Sequence, residues 1–159
     1  MGEPDYSVII QSILDLLQAD EEFAEKISEF RFGELPENTN ANHYPACYVT
    51  TPPNPEVSRE SFTPAALGGT PGQRIENEFW IVCVTQEAKT SDTQKVLYNL
   101  KSEIFRILES NTQLKKIASD TPLCNNLKLY SQGRFTKQRG KVVDGITIRV
   151  RTFHTKNAT

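Results

Sequence analysis

Two carboxylates and a tryptophan share one side of the segment IENEFWIVCVT, residues 75–85. Because side chains alternate between the two faces of a strand, Glu76, Glu78 and Trp80 point the same way if this segment is extended. Paired carboxylates can carry out acid–base chemistry. The solvent-exposed or interfacial end of a strand accounts for the same residues without chemistry, and we favour that interpretation.

The other reactive side chains do not match a catalytic or metal-binding motif. His43 precedes Cys47 by four residues, a spacing that spans ~13 Å on a strand, and no acid lies nearby in the sequence. Gly68 and Gly69 are not followed by the Lys-Ser/Thr ending of a phosphate-binding loop. No Cys-x-x-Cys or His-x-x-x-His spacing occurs. We expect no enzymatic activity, no cofactor and no metal site.

The composition predicts a protein of a reducing compartment with no membrane segment. Three cysteines, an odd number at wide spacing, favour free thiols that act as small buried hydrophobic side chains. The N-terminal segment MGEPDYSVII lacks the basic region of a secretory signal, and no apolar run approaches the ~18 residues of a membrane span. The formal net charge of -2 argues weakly against a nucleic-acid binder.

The segment around Trp80 has a second unusual property, which is that both of its faces are apolar. One face carries Phe79, Ile81 and Cys83, and the other carries Trp80, Val82 and Val84. A strand in a small domain usually needs only one dry face. We predict that an identical copy of the chain covers the face of Trp80. The alternative is that Trp80 lies in the core beneath the helices.

Periodicity predicts an α+β fold. Apolar residues recur at spacings of three and four over residues 5–18 and in TQKVLYNLKSEIFRILES, and a short helix restarts after Asp20. Alternating segments predict strands, which are EFRFGELP, YPACYVTT, residues 75–86, PLCNNLKLYSQGRF and ITIRVRTFHT. The Asp144-Gly145 pair predicts a turn before the last strand. These elements predict a mostly antiparallel sheet of about four to five strands, with two main helices packed on one face.

Residues 51–74 are predicted to form one long loop within a single domain that spans residues 1–159. This stretch holds five of the nine prolines and three of the eight glycines. It shows neither a helical nor a strand period. Connections of this length without secondary structure are uncommon and are usually functional or disordered.

Charge is unevenly distributed along the chain. Residues 1–126 contain 10 Lys/Arg and 19 Asp/Glu, whereas residues 127–159 contain 8 Lys/Arg and only one acid, Asp144. Three interpretations remain open. The basic residues can belong to a solvated hairpin, to a phosphate-binding hairpin, or to a subunit contact in which one copy's basic hairpin meets another copy's acidic helices.

The order of the predicted helices and strands, and the residue types of several segments, resemble those of the tail terminator, or tail-completion, proteins of long-tailed phages and related tailed particles. An N-terminal helix leads to a strand of the type HYPACYVTT, and a Pro/Gly-rich loop then runs to the two-faced strand IENEFWIVCVT. The long helix TQKVLYNLKSEIFRILES and the closing basic hairpin GRFTKQRGKVVDGITIRVRTFHT complete the pattern. The resemblance covers most of the chain.

This resemblance implies a structural protein of the virion tail or neck, made in the host cytoplasm. Members of the tail terminator family form a hexameric ring that caps the tail tube and stops polymerisation of the tube protein. The ring also presents a surface to the head connector, and DNA passes through it. The implied partners are therefore further copies of the chain, the tail tube protein and a head connector or neck protein, with no membrane.

Large aromatic and arginine side chains dominate many subunit contacts, and on that basis we assign the predicted interface. The interface residues are Trp80, Phe62, Tyr130, Arg134, Arg139, Arg149 and Arg151. For Phe62, a small apolar cluster beneath the loop is an alternative. The competing functions are another head–tail connector or neck protein, a small α+β binding module with no virion role, and a nucleic-acid module that uses the basic hairpin.

Overall fold

The computed structural model describes residues 2–35, 43–62, 72–86, 90–115, 117, 119–139 and 141–157. Within these residues there are three helices and six strands. The helices are α1 (Tyr6–Ala19), α2 (Glu21–Lys26) and α3 (Thr90–Glu109). The strands are β1 (Glu29–Phe32), β2 (Ala46–Thr50), β3 (Glu56–Phe62), β4 (Gly72–Thr85), β5 (Asn126–Arg139) and β6 (Lys141–Asn157).

Short polar side chains set the boundaries of the first two helices. Asp5 precedes α1 and accepts a hydrogen bond from the Val8 amide at 3.3 Å. Asp20 ends α1 and caps α2, where its carboxylate accepts from the Phe23 amide at 3.0 Å. Such caps satisfy amides that have no partner in the first turn of a helix. The predicted helix restart after Asp20 is confirmed.

One twisted sheet runs in the order β1-β2-β4-β6-β5, with β3 beside the first half of β4. Strand β4 is central because β6 pairs with its whole length on one side, while β2 and β3 share the other side. All pairs are antiparallel except β1 with β2, which is parallel. The α+β class is confirmed, with six described strands instead of four or five.

The helices bury their apolar stripes against one face of this sheet. The main core contains Ile13 and Leu17 of α1, Phe23 of α2, and Leu100 and Ile104 of α3. The sheet contributes to it Cys47, Val49, Phe79, Ile81, Cys83, Leu127, Ile146, Ile148 and Val150. Helix α2 therefore packs on the same face as the two main helices. Ile146, Ile148 and Val150 alternate along the last strand and all point into this core.

The predicted loop over residues 51–74 was wrong for two parts of that range. Glu56–Phe62 forms β3, and β4 already begins at Gly72; residues 63–71 lie outside the described residues. Strand β3 was missed because it is polar and pairs only with β4, so its exposed residues give no apolar alternation. A weakly apolar edge strand between proline-rich segments resembles a loop in sequence.

The Asp144-Gly145 turn was also wrong, since both residues lie inside β6. They pair with Thr136 and Phe135 on β5 and with Thr85 and Val84 on β4. Glycine is required there by packing, because a Cβ atom on Gly145 would overlap Phe135 Cζ and lie 2.8 Å from its Cε1 atom. The aromatic ring thus covers a strand glycine, a device that supplies the missing packing.

Replacing Gly145 by alanine is expected to lower the free energy of unfolding by about 1–3 kcal/mol, the usual cost of overpacking. The Phe135 ring has to leave its place over the strand to make room for the new methyl group. Chemical denaturation of Gly145→Ala, Phe135→Leu and the double variant measures the effect. The double variant should lose less stability than the sum of the single losses, and strict additivity would contradict the contact.

Candidate interaction surface

The open face is defined here as the sheet face turned away from the helices, on which Trp80 lies. Strand register places the following residues on it: Ala46, Tyr48 and Thr50 of β2, Glu76, Glu78, Trp80, Val82 and Val84 of β4, Gly145, Thr147, Arg149 and Arg151 of β6, and Lys128 and Tyr130 of β5. None of the described helices contributes to the apolar cluster on this face.

One half of the open face is covered by the chain itself. Val82 and Val84 are buried in a second cluster that also contains Leu35, Tyr44, Ala46, Tyr48 and Val143, with Phe135 packed against it. The prediction that an identical copy covers this face of β4 was therefore wrong at Val82 and Val84. The segment after β1 and the far part of the β5–β6 hairpin supply that cover, and both lie distant from β4 in sequence.

Trp80 marks the limit of this internal cover and remains half-buried on the open face. It is therefore not a core residue beneath the helices. Its indole Nε1 donates a hydrogen bond to Glu78 Oε2 at 2.9 Å. A recess of about 220 Å³ lies beside it, lined in part by Tyr48, Gln132 and Phe135. Trp80 thus lies, with its indole held by Glu78, at the boundary between two halves of the open face. One half is the apolar cluster, and the other carries the charged side chains described next.

The charged half is organised by Glu78, whose side chain is nearly buried. Glu78 Oε1 accepts from Arg149 Nη2 at 2.9 Å and from Arg151 Nε at 3.0 Å. Arg151 Nη1 also reaches Glu76 Oε1 at 3.2 Å. These four residues face one another across the β4–β6 ladder, where Glu78 is the register partner of Arg151.

Two opposing influences act on the pKa of Glu78. Burial raises the pKa of the carboxyl, but hydrogen bonds from Arg149, Trp80 and Arg151 outweigh it, so the pKa lies below its usual value. The pKa of Arg151 is raised by its hydrogen bond to Glu78. Glu78 is therefore ionised at neutral pH and is a structural anion, not a proton donor.

Tyr130 completes the charged half from the neighbouring strand. Its ring centroid lies 5.9 Å from the Arg149 guanidinium carbon and 5.6 Å from that of Arg151. Tyr130 is 41% exposed, so its ring contacts both arginines and also faces solvent. Cation–π contacts of this kind orient guanidinium groups. The result is an ordered, half-exposed surface of aromatic and guanidinium groups.

The structure brings four of the seven predicted interface residues together and places three elsewhere. Trp80, Tyr130, Arg149 and Arg151 form the surface just described. Phe62 lies over Gly72, eight residues along β4 from Trp80, which is about 26 Å on a strand. Arg134 follows a bulge in β5 and contacts Tyr98 on α3, with its guanidinium carbon 5.6 Å from that ring. Arg139 ends β5, opposite Lys141.

The charged contact between copies predicted for Arg149 and Arg151 stays a prediction, but neither arginine is an unpaired charge within the chain. Both guanidinium groups are neutralised within the chain by Glu76 and Glu78. Strand alternation puts the two acids on one face of β4 and the two arginines on one face of β6, and the pairing of β4 with β6 brings the two faces together. Matching charges on two segments that can pair as neighbours is the signal that identifies such a cluster.

The cysteine side chains of the described residues lie in the core, where they pack as small apolar groups. Cys47, Cys83 and Cys124 are buried and free, as predicted. A hydrogen bond to Cys83, together with burial, raises the pKa of the Cys47 thiol, and burial raises that of Cys124 to about 12. In the described part of the chain, no group of three or more His, Cys, Asp or Glu side chains is placed to hold a metal ion. None of the described helices has the length and apolar character that a membrane crossing requires.

Comparison with known proteins shows similarity to solved structures but not to a known family. No family model matches this chain, and no curated protein matches it either. A solved chain from "Virion of native gene transfer agent (GTA) particle" is similar to it, with 15% sequence identity and a TM-score of 0.48. The match covers 94% of this chain and 99% of the virion chain.

Proposed function

We propose that this chain is a structural virion protein that acts as a tail terminator. In this role it forms a hexameric ring that caps the tail tube, stops addition of tube protein and offers a surface to the head connector. The resemblance of its segments to tail terminators supports the proposal. The observation that carries it in the structure is the open face, where Trp80, Tyr130 and two braced arginines form an ordered and partly exposed surface.

The composition of the open face suits a protein contact. Tryptophan, tyrosine and arginine are the residues that most often dominate binding energy at protein interfaces. Arg149 and Arg151 are held by Glu78 before any partner arrives, so little side-chain entropy is lost on binding. An architectural function needs such a rigid surface and no catalytic group, which agrees with our expectation that the chain is not an enzyme.

The same surface fits another head–tail connector or neck protein, which is the nearest alternative function. A small α+β binding module is the second, and one observation favours it. A recess of about 350 Å³ at the far end of the open face is lined mainly by polar side chains, including Ser58, Glu60, Arg74, Asn126 and Thr155. Convergent polar groups fix the orientation of a ligand, although most ligand sites are otherwise lined by apolar side chains.

Assembly of particles without this protein tests the terminator role. We expect overlong tails, or tails that do not join heads, when the particles are viewed by electron microscopy. Complementation with Trp80→Ala should fail to restore normal tails although the variant folds, because a half-buried tryptophan at an interface contributes about 2 kcal/mol or more to binding.

Tyr98→Ala is the matched control for Trp80→Ala. Tyr98 is an aromatic residue on α3 that is 49% exposed and lies on the helix side of the sheet, so its loss should leave tail length normal. Tails of normal length that join heads in the complete absence of the protein would contradict the terminator role. A stable complex with a small ligand, seated in the recess beside Arg74, would favour the binding-module alternative.

A further inference from the structure

We infer that the β5 edge of one copy docks against the β1–α2 edge of a second copy, in a head-to-tail contact that continues the sheet from subunit to subunit. The inference deepens the proposed ring-forming role, and rests on it, by naming the lateral contact. It commits to a second copy of this chain as the partner.

The two edges carry opposite charges of equal size. Strand β5, residues 126–139, contains four basic residues and no acid, which gives a formal charge of +4. Residues 20–34, which include α2 and β1, contain six carboxylates and two basic residues, which gives a formal charge of -4. Complementary patches of this kind set the orientation of subunits and suppress wrong contacts.

The fold separates these two patches to opposite ends of the sheet. The order β1-β2-β4-β6-β5 leaves β1 at one edge and β5 at the other, so the patches do not satisfy each other within one subunit. Patches that are complementary but lie at different places on one molecule produce a heterologous contact, which closes into a ring when the rotation between subunits allows it. The contact therefore has the symmetry that a ring requires.

Strand directions also suit this contact. Counting across the sheet from the pairing of its strands, β2 and β6 run one way, β4 and β5 run the other way, and β1 follows β2. Rotation about a ring axis preserves these directions, so β5 of one copy meets β1 of the next in antiparallel orientation. Among the described strands, β1 pairs only with β2 and β5 only with β6. The backbone groups on both outer edges therefore need partners or water.

The sheet register places the basic end of β5 at the height of the acidic helix. Reading across the sheet, Glu29 of β1 lies level with Phe135 of β5, through Ala46, Val84 and Gly145. The chain before Glu29 is α2, and the chain after Phe135 continues to Lys137 and Arg139. In a flat ring, the basic end of β5 therefore faces the α2 helix of the next copy.

Asp20, Glu22 and Glu29 of the acidic edge form ion pairs within the chain, but other carboxylates of this edge remain exposed and outside those pairs. Arg149, Arg151 and Lys156 of the basic segment form ion pairs with acids of their own chain. Glu21 and Glu25 of α2 are exposed and form no ion pair within the described part of the chain. Phe32 on β1 is 50% exposed and adds an apolar side chain to the acidic edge.

Charge reversal at one edge, and then at both, tests the inference by light scattering and by carbodiimide cross-linking. The tip variant is Lys137→Glu with Arg139→Glu, and the helix variant is Glu21→Lys with Glu25→Lys. Each variant alone should need at least about tenfold more protein to associate than the unaltered chain, equivalent to about 1.4 kcal/mol. An equimolar mixture of the two variants should associate normally, because each reversed edge then meets a reversed partner.

The outcomes separate this inference from the proposed function. Cross-links between α2 and the end of β5, together with recovery in the mixture, support the edge contact whatever tail length is found. An unaltered chain that stays monomeric and gives no such cross-links at any concentration overturns the edge contact, as does a mixture that fails to recover. Tail length in particles without the protein tests the terminator role separately. Thermal unfolding of each variant confirms that the monomer remains folded.

Discussion

Reversing both arginines of the open face, with Arg149→Glu and Arg151→Glu, should unfold the protein or destabilise it by about 3–5 kcal/mol. The double change would place three carboxylates around Glu78, whose side chain is 10% exposed and has little access to water. Breaking a buried ion pair leaves an uncompensated charge, which costs far more than the pair contributes to stability. Denaturant unfolding monitored by Trp80 fluorescence measures the loss.

The matched control is Arg134→Glu, which reverses an exposed arginine on the other side of the same hairpin. Arg134 is exposed and contacts α3 through the Tyr98 ring and the Gln94 amide oxygen, so its reversal should cost less than about 1 kcal/mol. A further variant that also carries Glu76→Arg and Glu78→Arg should regain part of the lost stability. A stable, monomeric Arg149/Arg151 double variant would show that the cluster does not stabilise the fold.

The sequence predicted those elements whose formation depends on their own pattern. Helices α1 and α3 have apolar residues at spacings of three and four, and β6 alternates Ile146, Ile148 and Val150 with polar residues. Each of these segments buries one stripe against the main core, so local periodicity and tertiary packing agree. The grouping of Trp80 with Glu76 and Glu78 was correct for the same reason, since strand alternation is a local property.

The parts that sequence reasoning missed depend on contacts between distant segments. The cover over Val82 and Val84 comes from Leu35, Tyr44 and Phe135, and no local pattern connects these residues to β4. Gly145 was interpreted as a turn residue because Asp-Gly is a common turn pair, whereas the aromatic ring of Phe135 decides its place within a strand. The pairing of Arg151 with Glu78 likewise follows from the β4–β6 register and not from either segment alone.

Lowering the pH from 7 to 4 should destabilise the protein by about 3 kcal/mol through His154 alone. Burial lowers the pKa of His154 from 6.5 to about 4, and its side chain is 2% exposed. The only hydrogen bond described for the ring joins Nε2 to Thr152 Oγ1 at 3.2 Å, while Nδ1 has no partner within the described residues. Protonation would therefore bury a charge together with an N–H group that has no acceptor.

The sign of this effect follows from linkage. Between pH 6.5 and pH 4 the unfolded chain binds a proton at His154 and the folded chain does not, so the free energy of unfolding falls as the pH falls. Each pKa unit corresponds to about 1.4 kcal/mol. Carboxyl groups with lowered pKa, such as Glu78 and Asp20, act in the same direction only below about pH 4.5. The interval from pH 6.5 to pH 5 therefore reports mainly on histidine.

Urea unfolding at half-unit steps of pH, on the unaltered chain and on His154→Gln, measures this dependence. Glutamine is close to histidine in size and keeps a polar group near Thr152, but it does not titrate. The variant is expected to be less stable at pH 7 and to show a nearly flat profile between pH 6.5 and pH 5, where the unaltered chain loses about 2 kcal/mol. Parallel profiles for the two proteins would mean that His154 is hydrated in the folded state and that the end of β6 is more open than its burial indicates.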